Sequence, residues 1–365
     1  MIKYSEKELC LIWLDSFIGL DYKNKQLIYS LISEKQGIRN IIERNPALAN
    51  QISNDKYITL RDSACREYFD RVISELEQKG ITAITIESEN YPNSLKNTSH
   101  PPLVLYAVGN VELLNGNLFS MVGSRKSLPI SEAIAKKYVK ELACVGFTIC
   151  TGIAEGIDKV VLQTALEENA KVISVLAGGY DNVYPATNRN LLEEVGKKSL
   201  VISEYPPSVK TMPFNFPVRN RIIAGLSKGT LIISGAKKSG TLYTAEYAEE
   251  YGRDLFAIPY GIGVPSGAGC NDLIKRGAML TDDPADILNF YGIEKRENEK
   301  LQLTETETLI VKALYEGELH VDKICNVTGK KVFEITPILA VLEIKGIVVK
   351  SGVNVYSLAI NGLEE

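Results

Sequence analysis

The chain has 365 residues, 45% of them hydrophobic, with a formal net charge of -4 and a pI near 5.6. This length and apolar content allow two or three domains with a large core, while the acidic balance argues against a nonspecific nucleic-acid coat protein. The N-terminus lacks the apolar segment of a signal peptide, and no other stretch is long and apolar enough to span a membrane. We therefore expect a cytoplasmic multidomain protein.

Cysteine and histidine usage gives no indication of a metal site. The only histidines are His100 and His320, and no pair among the six cysteines has CxxC spacing. That usage is typical of free thiols in a reducing compartment. We expect no metal and no cofactor.

Residues 1–97 predict a helical domain of the SAM or helix-hairpin-helix type. Apolar residues recur at helical spacing on both sides of Gly19, and a further helix is expected over 65–79. Such a turn can hold nucleic-acid phosphates, but Asp21 beside two lysines favours a packing or oligomerisation role here. A short strand at 81–86 follows.

From 98 to 290 the pattern changes to apolar runs of strand length that alternate with helical segments. The alternation is typical of a parallel sheet with right-handed crossovers, so we predict an extended Rossmann-like, doubly wound α/β domain. The predicted strands are 118–122, 147–150, 172–176, 199–203, 230–234, 254–258 and 278–281.

Positive charge and aromatic rings follow these strands, at the edge where open parallel sheets bind ligands. The basic residues are Arg125, Lys126, Arg189, Lys210, Arg219, Arg221, Lys237 and Lys238, against the acidic Glu155, Asp158, Asp181 and Glu204. The rings are Tyr180, Tyr184, Tyr205, Phe214, Phe216, Tyr243 and Tyr260. Arginine for phosphate with a ring for an unpaired base is usual in single-strand binding. Taken singly, each ring is better explained as a packing residue that covers the edge of the sheet and meets no ligand. Phe216 is the best candidate for a ring that is exposed to a ligand.

The first edge loop, Gly123-Ser124-Arg125-Lys126, is expected to join a strand to a helix. Gly123 lets the backbone approach a ligand closely, and the start of a helix favours an anion. Arg125 adds a planar, permanently charged group suited to phosphate. Taken alone, the turn is better explained as an ordinary connection, and it is the neighbouring loops that favour a phosphate site.

A second feature is the segment from Phe216 to Ser227, where Pro217 can open a short helix. Arg219, Asn220 and Arg221 then lie in its first turns. Arginines there oppose the helix macrodipole, so a bound anion or a carboxylate such as Glu204 must compensate. An internal pair with Glu204 is the alternative for one arginine. The cradle Ser239, Gly240 and Thr241, at the start of another helix, could hold one phosphate.

Known nucleotide-binding and hydrolase motifs are absent from the sequence. The turn at Gly123 is not GxGxxG, the run 235–241 lacks the Lys-Ser/Thr of a phosphate loop, and no Gly-x-Ser-x-Gly elbow occurs. We therefore expect no catalytic residue and no enzyme. The alternative is a nucleotide-binding sensor or a nucleoside-monophosphate phosphoribohydrolase, which Ser239–Thr241 and Glu246 loosely resemble.

A set of motifs in fixed order between about 90 and 290 resembles the DprA (Smf) DNA-processing family. They are Tyr91-Pro92, Pro101–Tyr106 with Gly109-Asn110, Val122–Arg125, Gly152 with Gly156–Asp158, Tyr184-Pro185 with Asn188, Ile202–Pro206, Phe216-Pro217 with Arg219–Ser227, Ser239–Leu242 with Thr244-Ala245, and Gly269 with Asn271. Each motif alone is weak, and the combination is specific.

The resemblance implies a single-stranded DNA-binding protein, usually a homodimer, that helps load the RecA recombinase during natural transformation. Carried over by position, Gly123-Ser124-Arg125 and Arg219-Asn220-Arg221 would line the DNA pocket. We add Lys126, Tyr184, Asn188, Phe216, Ser239, Gly240 and Thr241 to the expected DNA-binding residues. Two positions depart from the family, because Leu162 replaces its common histidine and Ser234 its common glutamate. Both changes remove polar groups from the expected pocket and argue against nucleotide hydrolysis.

The tail begins with a charged linker over 291–300. Residues 301–365 predict three helices and a β-hairpin, the order of a winged helix, which the family often carries. Because 291–365 has nine basic and twelve acidic residues, a protein-contact or regulatory role is favoured over sequence-specific DNA binding.

Overall fold

The computed structural model describes residues 4–17, 20–31, 54–293, 303–315, 317–345 and 347–358. The chain divides into two compact units, Met1–Glu294 and Lys295–Glu365. The turn at Gly19 and the part of the expected linker from 294 to 300 lie outside the described residues. The domain limits expected at 97 and 290 stay predictions.

In its described residues, the first unit combines four N-terminal helices with a large sheet and its crossover helices. In chain order its elements are α1 (Glu6–Asp15), α2 (Tyr22–Leu31), α3 (Asn54–Ser63), α4 (Arg66–Gln78), β1 (Thr82–Thr85), α5 (Asn93–Lys96), β2 (Val104–Gly109), β3 (Leu118–Val122), α6 (Pro129–Cys144), β4 (Thr148–Thr151), α7 (Ile157–Glu167), β5 (Val172–Val175), α8 (Arg189–Lys198), β6 (Leu200–Ser203), α9 (Asn215–Leu226), β7 (Gly229–Ile232), α10 (Leu242–Glu250), β8 (Asp254–Ala257), α11 (Ala268–Lys275), β9 (Met279–Leu280) and α12 (Pro284–Phe290).

The sheet has the strand order β1-β2-β6-β5-β4-β3-β7-β8-β9. Strands β3 to β9 run parallel, which confirms the Rossmann-like, doubly wound fold, and every strand predicted between 118 and 281 is present. β1 and β2 extend the sheet at one edge as antiparallel strands. The chain runs outward from β3 to β6 on one side and from β7 to β9 on the other. The topological switch point, where such sheets bind ligands, therefore lies between β3 and β7.

Alternate residues of each parallel strand enter two cores, one on each face of the sheet. In β3, Phe119 and Met121 pack with helices α6 and α7. Leu118 and Val122 belong to the opposite core, which contains Ile223 of α9. Both faces are covered, as expected for parallel strands.

Helix α1 is apolar on nearly all sides because it packs into the second of these cores. Leu11, Ile12 and Leu14 are almost fully buried. The Asp15 carboxylate accepts a hydrogen bond from the Tyr106 hydroxyl of β2 at 3.0 Å. The N-terminal helices thus share a core with the antiparallel edge of the sheet.

The second unit contains the elements predicted for the tail. They are α13 (Glu305–Leu314), β10 (Leu319–His320), α14 (Val321–Thr328), α15 (Val332–Ile344), β11 (Val348–Gly352) and β12 (Val355–Leu358). A separate core forms around Ile310, Ile324 and Leu339. The winged-helix assignment itself stays a prediction. Across both units, no helix in the described ranges has the length and apolar character needed to cross a membrane.

Candidate nucleic-acid interface

A cavity of about 530 Å³ opens at the switch point of the sheet. The loops after β3 and β7 form two of its walls, and the start of α7 and the first half of α9 complete it. Its position follows from the topology, because the crossovers from β3 and β7 leave the sheet on opposite faces and open a crevice between them.

The turn after β3 is held from three directions. The Ser124 backbone N–H donates to Ser234 Oγ at 3.1 Å, and Thr241 Oγ1 donates to the Gly123 carbonyl at 3.1 Å. The Ile157 N–H donates to the Ser124 carbonyl at 3.2 Å. A Cβ at Gly123 would lie 2.5 Å from Ile157 Cγ1, so only glycine fits there. The turn is therefore pre-organised rather than formed on binding.

Two arginines from distant parts of the sequence meet at the Phe216 ring. The Arg125 guanidinium lies 4.5 Å from the ring centroid and the Arg219 guanidinium 5.9 Å from it. Cation–π attraction favours both positions. Arg125 is exposed, whereas Arg219 is only 3% exposed, so the first is available to a ligand at the mouth and the second lies in the wall.

Hydrogen bonds fix the orientation of Arg219. Its Nη1 donates to the Val175 carbonyl at the end of β5, and its Nε donates to Asn220 Oδ1 at 3.1 Å. Asn220 Nδ2 in turn donates to the Gly240 carbonyl at 3.2 Å. Arg219 and Asn220 therefore connect α9 to β5 and to the start of α10.

Asp158 is the one carboxylate among the residues lining the cavity, all of which belong to the described part of the chain. A Cβ at Gly152 would lie 2.3 Å from Asp158 Oδ2 and 2.7 Å from Arg219 Nη1, so these charged groups flank the glycine. Burial raises the pKa of Asp158 above its usual range, although Arg219 and Arg125 oppose the shift. Burial also lowers the pKa of Arg219.

Most of the expected DNA-binding residues come together in this cavity. The lining includes Gly123, Ser124, Arg125, Lys126, Phe216, Arg219, Asn220, Ser239, Gly240 and Thr241. Tyr184 lies beside it, with its ring 6.0 Å from that of Phe216. Asn188 and Arg221 lie elsewhere.

The expected place of Asn188 in the pocket needs correction. Its side chain is 1% exposed and donates to the Ile153 carbonyl at 2.9 Å. Asn188 therefore ties the loop after β4 to the start of α8 and has no face toward the cavity.

Arg221 also requires correction, because it points to the opposite side of α9 from Arg219. Residues two apart on a helix are about 200° apart around its axis and cannot share one ligand. Arg221 forms a buried ion pair with Glu204, the internal pair considered as an alternative. Burial is the largest single influence and opposes the Arg221 charge, but Glu204, Tyr251 and Tyr91 together outweigh it and raise the pKa of Arg221.

The sequence patterns missed some cavity residues and misjudged one ring. Ala154, Pro213, Ala236 and Thr244 line the cavity as small or apolar residues without a chemical signal. Lys238 was visible only as a charge in an edge loop, and Asp158 as such a charge and as part of the Gly156–Asp158 motif, without a role in the pocket. Phe214 at 68% is more exposed than the half-buried Phe216, which was expected to be the exposed ring.

The two departures from the family pattern have different outcomes. Leu162 is fully buried in the core between the sheet and α7 and does not line the cavity. Ser234 is also fully buried, and its hydroxyl accepts the Ser124 N–H. Ser234 therefore holds in place the turn after β3, which is the candidate phosphate-binding turn.

Fold and cavity together define a Rossmann-like α/β protein with a pre-formed, positively charged cavity at the switch point. The family model for DNA recombination-mediator protein A matches residues 82–292. The chain belongs to this family.

Curated relatives agree with the family match. DNA processing protein DprA of Bacillus subtilis (strain 168) is 36% identical over 236 residues, which cover 64% of this chain and 78% of the relative. DNA processing protein DprA of Streptococcus pneumoniae (strain ATCC BAA-255 / R6) is 34% identical over 245 residues, which cover 67% and 82%. Protein Smf of Escherichia coli (strain K12) is 38% identical over 227 residues, which cover 61% and 60%.

Two solved structures are similar as well. The X-ray structure of DprA from Streptococcus pneumoniae superposes with a TM-score of 0.61 at 29% identity, covering 79% of this chain and 98% of that chain. The structure of DNA processing protein A from Helicobacter pylori, which describes a single-stranded DNA binding mode, superposes with a TM-score of 0.53 at 27% identity. The match covers 58% of this chain and 95% of that chain.

Proposed function

We propose that the cavity grips the sugar-phosphate backbone of single-stranded DNA and that the chain acts as a recombination mediator without a catalytic step of its own. The observation that carries this proposal is the meeting of the Arg125 and Arg219 guanidinium groups at the Phe216 ring. Planar guanidinium groups match phosphate oxygens, and the fixed backbone around Ser124 reduces the entropy lost on binding.

Single strands fit this site better than duplex. The site is a concave cavity, whereas a duplex reader presents a projecting helix or ribbon to a groove. Exposed rings beside the cavity offer stacking surfaces that only unpaired bases can use. The relative from Helicobacter pylori, with its described single-stranded DNA binding mode, supports the same choice.

Family membership supports the remaining parts of the proposal. We infer a role in natural transformation, in which the protein protects incoming single strands and helps load the RecA recombinase in the cytoplasm. We further infer that it acts as a homodimer.

The phosphoribohydrolase alternative receives no support from the geometry. Glu246, its expected catalytic carboxylate, is exposed on α10 and is not among the residues that line the cavity. Asp158 lines the cavity but lies buried beside Arg219, which suits charge compensation better than attack on a sugar.

A titration of fluorescently labelled oligo-dT against the purified full chain tests the proposal. We expect an increase in anisotropy on binding, much weaker binding of a duplex of equal length, and affinity that falls as salt rises. Equal affinity for both forms, or binding that ignores salt, would contradict it. Chromatography for free base released from nucleoside monophosphates checks the hydrolase alternative in parallel.

A further inference from the structure

Three side chains with large apolar surfaces stand exposed beside the cavity, and two of them, Met212 and Phe214, are not among the expected DNA-binding residues. Met212 is 45% exposed, Phe214 68% and Tyr184 57%. We call the surface formed by the Tyr184 and Phe214 rings and the Met212 side chain the aromatic ledge. A cluster of exposed apolar groups at the edge of a binding cavity generally marks a contact surface.

The ledge is continuous with the cavity. The Tyr184 ring meets Phe216 edge-on, with centroids 6.0 Å apart and planes at 72°. Pro213, between Met212 and Phe214 in the sequence, lines the cavity itself. A chain that leaves the cavity on this side therefore meets the ledge next.

Hydrogen bonds hold the backbone that carries the ledge. The Gly179 N–H donates to the Val209 carbonyl at 2.8 Å, and Thr211 Oγ1 donates to the Asn182 carbonyl at 2.7 Å. The Asn215 N–H donates to the Met212 carbonyl at 3.0 Å. Exposure of these side chains is therefore a property of a fixed surface, and a ligand that binds there pays little ordering entropy.

Charge and ring type favour a nucleic acid over a protein as the occupant. The segment Tyr205–Val218 contains Lys210 and no acidic residue, and the preceding Glu204 is committed to Arg221. Guanidinium groups lie against the Phe216 ring, whereas the Tyr184 and Phe214 rings are exposed and open to a base.

We propose that the aromatic ledge is a second nucleotide subsite, on which unpaired bases stack after the sugar-phosphate leaves the cavity. This inference rests on the proposed function and adds a direction to it: the strand passes from the turn after β3, over Phe216, toward Tyr184 and Phe214. Lys210 lies on the same loop and supplies a positive charge for the phosphates outside the cavity.

Oligonucleotide length separates this subsite from the cavity. We compare the full chain with Phe214→Ala and Tyr184→Ala, using oligo-dT of about four and about fifteen nucleotides. Each ring lost should weaken the long oligonucleotide about fivefold or more, by the usual contribution of base stacking. The short one reaches fewer of these rings and should be weakened less than the long one. Phe214→Trp should restore long-oligonucleotide binding, because the stacking surface returns.

Phe333→Ala is the matched control, since Phe333 is a comparably exposed phenylalanine (72%) on the second unit. It should leave binding unchanged. The inference is overturned if both ledge variants bind the long oligonucleotide like the wild type, if they weaken both lengths equally, or if Phe333→Ala has the same effect. A wild type that binds no oligo-dT would instead defeat the proposed function. Unchanged DNA binding with loss of binding to purified recombinase would assign the ledge to a protein partner and overturn the inference too.

Discussion

Replacing Arg125 by alanine gives the sharpest prediction about the cavity. Arg125 is exposed, its guanidinium rests 4.5 Å from the Phe216 ring, and no backbone hydrogen bond of the turn depends on its side chain in the described structure. The substitution should therefore remove a ligand contact and leave the fold intact.

The expected size of the effect follows from the type of contact. Hydrogen bonds to charged groups contribute about 1.5–3 kcal/mol, so affinity for oligo-dT should fall about 10- to 150-fold. Loss of one phosphate contact should also reduce the slope of log K against log salt by about 0.7. Stability should change by no more than about 0.5 kcal/mol, since the side chain is exposed.

Anisotropy titrations at several salt concentrations, with thermal melts of the same samples, measure all three quantities. Arg276→Ala is the control, because Arg276 is an exposed arginine that pairs with Glu249, and neither residue lines the cavity. Arg125→Lys should fall between wild type and alanine, since it keeps the charge and loses the planar group. Unchanged affinity and salt slope in Arg125→Ala would refute the reasoning.

Three further predictions concern buried charges. Arg219→Ala should weaken oligo-dT binding and also lower the melting temperature, because it leaves the Val175 carbonyl unpartnered in the wall; a melt unchanged from wild type would contradict this. Glu204→Gln should cost about 3–5 kcal/mol in urea unfolding, since Arg221 would stay buried without its partner, while affinity in the folded protein should persist. Asp158 has a raised pKa, so as pH falls from neutral toward the acidic range it becomes neutral and oligo-dT should bind more tightly. Asp158→Asn should bind about fivefold more tightly at neutral pH and lose that pH dependence in the same titration.

The parallel part of the fold was predictable because its signals are local. Each strand from β3 to β9 is a short apolar run bounded by helical segments, so its place along the chain can be read directly. Strand order is not local, and the switch point between β3 and β7 appears only when the strands pair. The antiparallel strand β2 follows a proline-rich stretch and was not among the predicted strands, since its pairing with β6 is long-range.

The candidate site divides in the same way. Residues of the loop after β3 were identified because that turn joins a strand directly to a helix at the edge of the sheet. Arg221 and Asn188 were misplaced because charge and polarity in an edge loop do not show which way a side chain points. For Arg221, the spacing of two residues from Arg219 on one helix already argued against a ligand shared by both side chains. For Asn188 only the packing of α8 shows that its amide serves a backbone carbonyl.

A crystal structure of the full chain with a bound oligo-dT tests the central claim most directly. We expect one phosphate within hydrogen-bond distance of Arg125 and of the Ser124 turn, close to the Arg219 guanidinium. DNA that occupies the second unit or the amino-terminal edge of the sheet, with the cavity empty, would contradict it.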